Sequence, residues 1–181
     1  LKLEGIYNVF NAVAAISLVS SVLGDKTDKD KLVSTLESIT PAFGRGEKLL
    51  VDGQPLELVL VKNPGGFRLG LESFDPTGYA TMIAINDNYA DGRDMSWLWD
   101  VQFESLKPGI SHVTGVRAYD MALRLQYDEV EVGSVETDIP KALKDFIKAN
   151  KSMPKRIYCS YTSMLALRRE LSKITDVETV S

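Results

Sequence analysis

Four aspartates crowd one short stretch, "DNYADGRDMSWLWD": Asp87, Asp91, Asp94 and Asp100, with a single arginine, Arg93, among them. Trp97 and Trp99 lie in the same stretch. Grouped carboxylates suit three kinds of chemistry. They can ligate a hard cation, which prefers oxygen donors. They can act as general bases. One of them can orient a histidine and stabilise its charged form. The regular calcium-loop spacing and its closing glutamate are missing, so no metal is expected on these residues. The chain has one histidine, His112, which heads a β-rich run and is expected to be structural. A complete Ser-His-Asp or Cys-His-Asp set within this chain is therefore not expected, and an aspartate with an orienting role would serve a histidine elsewhere. A plainer reading stands beside these: Asp91-Gly92 is a good turn pair, and the acids would cap turns in a solvated loop. The tryptophans argue against it, because they are costly to expose and suit a pocket wall or a partner surface.

Weaker signals lie elsewhere. Arg45 sits between Gly44 and Gly46, where the backbone can approach a ligand and a guanidinium can pair with phosphate. Asn8 and Asn11 stand three residues apart, on one face of a helix. They could cap a neighbouring loop or read the edge of a base such as adenine. No GxxxxGK[ST] loop and no GxGxxG occurs, so the chain is not expected to hold a nucleoside triphosphate by itself. The lone cysteine, Cys159, excludes an internal disulfide framework and a multi-cysteine zinc site. Its apolar setting, "RIYCSY", predicts a buried, inert thiol in a reducing compartment.

The elements that must position these residues follow from periodicity. Ile6–Leu23 is predicted as a helix with apolar residues nearly all round, hence buried on several sides. Asp28–Ile39 is predicted as an amphipathic helix with Leu32, Val33, Leu36 and Ile39 on one face, ended by Pro41. The pattern then changes. Two β-rich runs flank Asp52-Gly53, a hairpin pair; the second, Leu56–Val61, feeds the loop "KNPGGF". Further strands are expected at Thr81–Ile85, His112–Val116, Val130–Val132 and Arg156–Cys159. Helices are expected at Phe67–Phe74, Ala118–Tyr127, Ile139–Ala149 and Thr162–Ser172. Such alternation indicates a mostly parallel sheet with helices on both faces. Ligands of open sheets bind beyond the carboxyl ends of the strands. The aspartate stretch and Asn63-Pro64 should both open there.

The bulk numbers agree. The 181 residues amount to one domain with a piece of a second, and 44% hydrophobic residues suffice for a core. A net charge of −4 argues against a nucleic-acid partner. The longest apolar stretch, Val9–Gly24, is interrupted by Asn11, Ser17, Ser20 and Ser21 and falls short of the ~20 residues a membrane span needs, so no spanning segment is expected. The chain opens on Leu1 rather than methionine, and a fragment of a longer protein is expected.

Five stretches taken in order, "GIYNVFNAVAA", "AFGRGEKLLVDG", "LVKNPGGF", "AINDNYADGRDMSWLWD" and "YTSMLALRREL", resemble the MurT family, the Mur-ligase-like subunits of lipid II isoglutaminyl synthase. The likeness runs over nearly the whole chain, and its aspartate–tryptophan stretch is the most specific part. It implies that residues 1–40 are the last helices of an ATP-binding middle domain. Residues 41–181 would be a Rossmann-like C-terminal domain of the Mur ligase type. The phosphate-binding loop, and the zinc ribbon of some members, would lie upstream. The implied reaction is ATP-dependent amidation, with Mg2+, of the D-glutamate α-carboxylate of lipid II to D-isoglutamine. The ammonia would come from a GatD-type glutaminase subunit, and the work would be done in the cytoplasm at the inner membrane surface.

By the same resemblance Asn8 and Asn11 match adenine-side asparagines, and Arg45 the arginine that meets ATP on domain closure. Asn63 lies where Mur ligases place an Asp-x-Ala-His-Asn-Pro loop. Here "VKNPGGF" lacks the aspartate and histidine, which fits ammonia as acceptor better than peptide elongation. Asp94 or Asp91 would complete the partner's cysteine–histidine pair, Asp94 slightly favoured. Asp87 would be a strand-end or ligand-side carboxylate, Asp100 a structural acid, and Trp97 and Trp99 would press on the partner. Two other readings remain: a non-catalytic module that docks the glutaminase, and a domain of another Mur-type ligase such as a folylpolyglutamate synthase.

Overall fold

Apolar residues alternate between two destinations along each central strand, and this alternation builds a three-layer molecule. The computed structural model describes residues 6–39 and 45–177, without the side chains of residues 6, 7 and 45. Six strands, β1 (Arg45–Val51), β2 (Gln54–Leu60), β3 (Ala80–Ala84), β4 (Ile110–Thr114), β5 (Val132–Glu136) and β6 (Lys155–Cys159), form one sheet in the order β1-β2-β6-β3-β4-β5. β2 to β5 run parallel across that order, and only β1 is antiparallel, hairpinned to β2. The hairpin turns at Asp52-Gly53, both with positive φ (51° and 73°), as the residue pair predicts.

On β2, Leu56 and Leu58 enter one core while Val59 enters the other; on β3, Met82 and Ala84 are set against Ile83. Helices α3 (Pro64–Ser73) and α4 (Ala118–Tyr127) cover one face; α5 (Ile139–Ala149) and α6 (Tyr161–Leu171) cover the other. Burial on both faces explains why the strands read as continuous apolar runs. Across the β2–β6 pair, Glu57 faces Arg156 at 2.9 Å, both buried; Arg156 also donates to the Asp75 carbonyl and lies 3.9 Å from the centre of the Tyr79 ring.

Several expected boundaries move. α3 starts at Pro64, not Phe67, because the Asn63 side chain accepts from Gly66 N (2.7 Å) and Pro64 fills the first helical position. The expected strand at Val130–Val132 begins only at Val132, because Glu129 turns back with φ 58° and Val130 N still bonds the Leu125 carbonyl at the end of α4. β4 ends at Thr114 because Gly115 leaves the extended region at φ 96°.

The N-terminal helices depart most from expectation. α1 (Ile6–Leu23) and α2 (Lys29–Ser38) form where predicted, with Asp28 capping α2 through Lys31 N. Burial on several sides does not follow. Among the described side chains of α1 only Asn8 and Ala12 are buried, while Phe10, Leu18 and Val22 are exposed. Within Asn8–Lys26 an 18-residue window also has a mean hydropathy of 1.3, so by length and composition alone it is long and apolar enough to cross a membrane, where the sequence led to no such expectation. The expected domain boundary, at residues 40–41, falls outside the described residues.

Candidate functional site

Where β3, β4 and β6 end side by side, their exits interlock. Ser160 N bonds the Ala84 carbonyl, Arg117 N bonds the Ile85 carbonyl, and the Asn86 amide joins the chains on either side. Its Nδ2 donates to Thr162 Oγ1 (3.1 Å), its Oδ1 accepts from Val116 N (3.0 Å), and its own N–H donates to Ser160 Oγ (3.0 Å). The approach is so close that a Cβ on Gly115 would lie 2.4 Å from the Ile85 carbonyl oxygen and 2.9 Å from Asn86 Oδ1. Together with its positive φ, this requires glycine at position 115.

The acidic loop leaves this edge, and its aspartates have different fates. Asp91 is buried, 4% exposed, with both carboxylate oxygens occupied. Oδ1 accepts from Thr162 N (2.8 Å); Oδ2 accepts from the Thr162 hydroxyl and from Asn88 N (3.1 Å). Asp91 thus satisfies an orphan donor at the start of α6, whose N-cap Ser160 makes no side-chain cap. Asp87 pairs with Arg117 (2.8 Å), tying the β3 exit to the start of α4; Arg117, bonded to Asp120 as well as Asp87, is held above its usual range. Asp94 faces solvent. Its Oδ1 accepts from Ser96 N (2.8 Å), and hydrogen bonds from the Ser96 backbone and hydroxyl hold its carboxyl below the usual range. Asp100 is exposed at the end of a 3-10 turn, Ser96–Asp100.

That turn separates the two tryptophans, because residues two apart on a 3-10 helix point ~120° from each other. Trp97 packs on the core, its ring edge-on to Phe67 at 6.4 Å. Trp99 stays 49% exposed, edge-on to Tyr127 (5.1 Å) with the Arg124 guanidinium 5.5 Å away. Tyr119, Leu123 and Tyr127, four residues apart along α4, are exposed as well.

Asn63 lies beyond β2 on the same edge as the acidic loop, with its amide oxygen spent on the α3 cap. Asn8 and Asn11 do not share an environment, since Asn8 is buried and Asn11 exposed. The Arg45 side chain lies outside the described residues, although its backbone opens β1 opposite Val59. His112 sits inside β4, 5.6 Å from the Phe146 ring and bonded to Ser111 Oγ, away from the acidic loop; burial pushes its pKa down. Burial likewise pushes the Cys159 thiol up, matching the inert cysteine expected. Among the described residues no three His, Cys, Asp or Glu side chains group as a metal site. The sequence reading missed Asn86, Gly115, Arg117 and Thr162. The only signal available was the position of Asn86 and Gly115, directly after apolar runs.

The profile of the MurT ligase C-terminal family matches residues 60–164. The chain is 30% identical over 179 residues to "Lipid II isoglutaminyl synthase (glutamine-hydrolyzing) subunit MurT" of Streptococcus pneumoniae, covering 95% of this chain and 39% of that protein. The subunit of the same name from Staphylococcus aureus strain COL is 33% identical over 183 residues, covering 96% of this chain and 40% of that protein. The chain thus spans about two-fifths of the length of these relatives. Among solved structures, a pseudomurein peptide ligase type C from Methanothermus fervidus superposes with a TM-score of 0.69 at 17% identity, over 93% of this chain and 36% of that one. At that identity the likeness speaks for the fold alone.

Proposed function

The chain belongs to the MurT ligase C-terminal family, and from that premise we propose that it is the closing C-terminal part of an ATP-dependent ligase that amidates lipid-linked peptidoglycan precursor. The acceptor would be the D-glutamate α-carboxylate of lipid II, and the ammonia would come from a GatD-type glutaminase subunit. The relatives named as subunits of a glutamine-hydrolysing synthase support both points.

The observation that carries this reading is Asp94. It is exposed on the loop that leaves β3, oriented by Ser96. Its own chain offers it no histidine, since His112 is inside β4. An ionised, oriented and accessible carboxylate without a local base is what a partner with cysteine and histidine but no acid would need. Asp94 would accept from the partner's imidazole, fix its tautomer and stabilise the imidazolium. Asp91 fits the role poorly, with both oxygens bonded inside the chain. Trp99 with the Tyr119, Leu123 and Tyr127 side of α4 would make the apolar contact, whereas Trp97 is a core residue.

ATP would supply the phosphate that activates the carboxylate for displacement. Asn8, Asn11, Arg45 and Asn63 remain the candidates to border it, with Asn8 buried and the Asn63 amide oxygen already spent on the α3 cap. The Mg2+ ligands and phosphate loop would come from the longer protein, which would also cover the exposed apolar side of α1. Closure of this part would keep water from the activated carboxylate.

Glutamate release by the full complex tests the reading. Asp94→Asn is expected to lower it on the order of 10⁴-fold while the subunits still co-elute and free ammonium still supports amidation. Near-normal glutamate release from Asp94→Asn would overturn the role of the loop. Coupled loss of both activities would make Asp94 structural. The docking-module reading is favoured instead if Trp99→Ala splits the subunits while Asp94→Asn does nothing.

A further inference from the structure

The two edges of the sheet differ. At β1 the C-terminal segment lies close: Thr175 Oγ1 donates to the Leu50 carbonyl (2.8 Å), and Val177 packs on the core. β5 is bonded to β4 alone, and among the described residues no hydrogen bond reaches its outer side. The outward N–H and C=O groups of an edge strand are a template for another chain. Proline and lysine commonly blunt such edges, and the β5 sequence, "VGSVE", has neither. Beside it, between the outer side of α4 and the start of β5, runs an open groove of about 570 Å3. Tyr119, Leu123 and Gln126, about a helical turn apart, form one wall; Val130, Glu131 and Val132 form the other. Tyr119 is 69% exposed and Leu123 48%. A strand laid along β5 would send every second side chain to this side of the sheet.

Charge narrows what that strand can be. Acids stand at both ends of β5, Glu129 and Glu131 before its end and Glu136 and Asp138 at its close. Glu129 pairs with Lys107 (3.1 Å) and Glu136 with Lys141. Glu131 is exposed, and Asp138 spends one oxygen on the α5 cap; among the described residues neither has an ion pair within 4.0 Å. The arginines of α4 do not offset them. Arg117 is shared by Asp87 and Asp120, and Arg124 pairs with Asp128. Lys144 and Lys148 of α5 line a different groove, toward α6. A second copy of the chain is therefore a poor occupant. A twofold axis through the sheet would pair β5 with itself antiparallel, setting Glu131 of one copy near Glu136 and Asp138 of the other, and like charges across a strand pair are destabilising.

We infer that β5 docks an extended, basic segment of a different polypeptide, which adds to the sheet as a further strand and seats apolar side chains beside Tyr119 and Leu123. Outward backbone groups call for an extended chain rather than a helix or a small molecule. The ladder of main-chain hydrogen bonds supplies the affinity, and the groove and Glu131 supply the selectivity. The inference uses nothing of the function proposed above, and glutamate release is not its readout, so either can fail without the other.

Titration of the full-length protein with a short acetylated peptide alternating valine and lysine, followed by amide hydrogen exchange, tests this. The peptide should slow exchange across Val132–Glu136 about tenfold or more. The same peptide with its backbone amides methylated cannot donate to the ladder and should bind at least about tenfold more weakly. Glu131→Lys should weaken the lysine peptide about threefold to tenfold and reverse the preference toward a valine–glutamate peptide. Glu131 is exposed, so the fold should survive, as circular dichroism would check. Three outcomes overturn the inference: no slowing at β5, equal binding of the methylated peptide, or equal binding of the glutamate peptide to the parent protein. A concentration-dependent dimer whose β5 amides are protected without peptide also overturns it and assigns the edge to a second copy of the chain.

Discussion

The loop that leaves β3 is held in two different ways. From Asn86 to Asp91 its polar side chains bond to residues 30 to 76 positions away, Val116, Arg117 and Thr162. From Gly92 to Asp100 the side-chain hydrogen bond of Asp94 reaches only two residues ahead, to Ser96, and Met95, Leu98 and partly buried Trp97 anchor the segment through the core. The first half is a clamp between three strand exits; the second is a short scaffold that presents Asp94 and Trp99 to solvent. Two aspartates three residues apart thereby acquire different surroundings, Asp91 buried against the start of α6 and Asp94 exposed beside Ser96.

Substitutions can break this contrast or sharpen it. The largest effect is expected at Gly115, whose Cβ would run into the Ile85 carbonyl at 2.4 Å. Gly115→Ala should cost about 3 kcal/mol or more in urea denaturation, from positive φ combined with backbone overlap. A cost below ~1 kcal/mol would mean the strand exits are not clamped. Next is the tryptophan pair. Trp97→Ala should lose about 3 kcal/mol and Trp99→Ala less than ~1 kcal/mol, because only Trp97 leaves a hole in the core; equal losses would erase the inward–outward division. The aspartate pair should follow the same order. Asp91→Asn disturbs an arrangement of three part-buried hydrogen bonds around a buried carboxylate and is expected to lower stability by about 2 kcal/mol, while Asp94→Asn leaves the denaturation midpoint unchanged. A reversed order would exchange their roles.

The smallest effect provides a baseline outside both halves. Burial holds the His112 pKa below its ordinary 6.5, partly offset by Asp145, so the folded state takes up its proton less readily than the unfolded state. Stability from this group is complete above pH 6.5, falls as pH drops from there toward the folded value, and levels off below it. Denaturation midpoints measured through that window should flatten in His112→Gln but keep their slope in Asp94→Asn. A slope that vanishes with Asp94→Asn would tie the outer half of the loop to the core titration.

Much of the fold was legible because it follows from local period and turn chemistry. Asp52-Gly53 announced its hairpin, and the apolar runs around Leu58, Ile83 and Ile157 announced parallel strands covered on both faces. α5 matched its predicted limits, Ile139–Ala149. Errors gathered at ends set by unusual backbone, such as Glu129 and Gly115, and at α3, where the Asn63-Pro64 start signal was present but taken for loop. α1 was misjudged for another reason. Its apolar composition fixes that it must be covered, but composition does not say whether the cover lies within these residues.

By itself the sequence determined the alternation that makes the sheet, the edge on which its loops open, the absence of a local histidine for the acids, and the grouping of Asp87, Asp91, Asp94 and Asp100. Only the tertiary structure decided which aspartate is spent. Asp91 is bound by Thr162, a residue 71 positions later, and that meeting exists only because β6 inserts between β2 and β3 in the sheet. Strand order is set by the packing of both faces at once, which no local window contains. The uses of a carboxylate at a strand end therefore depend on a neighbour that the chain supplies only after folding.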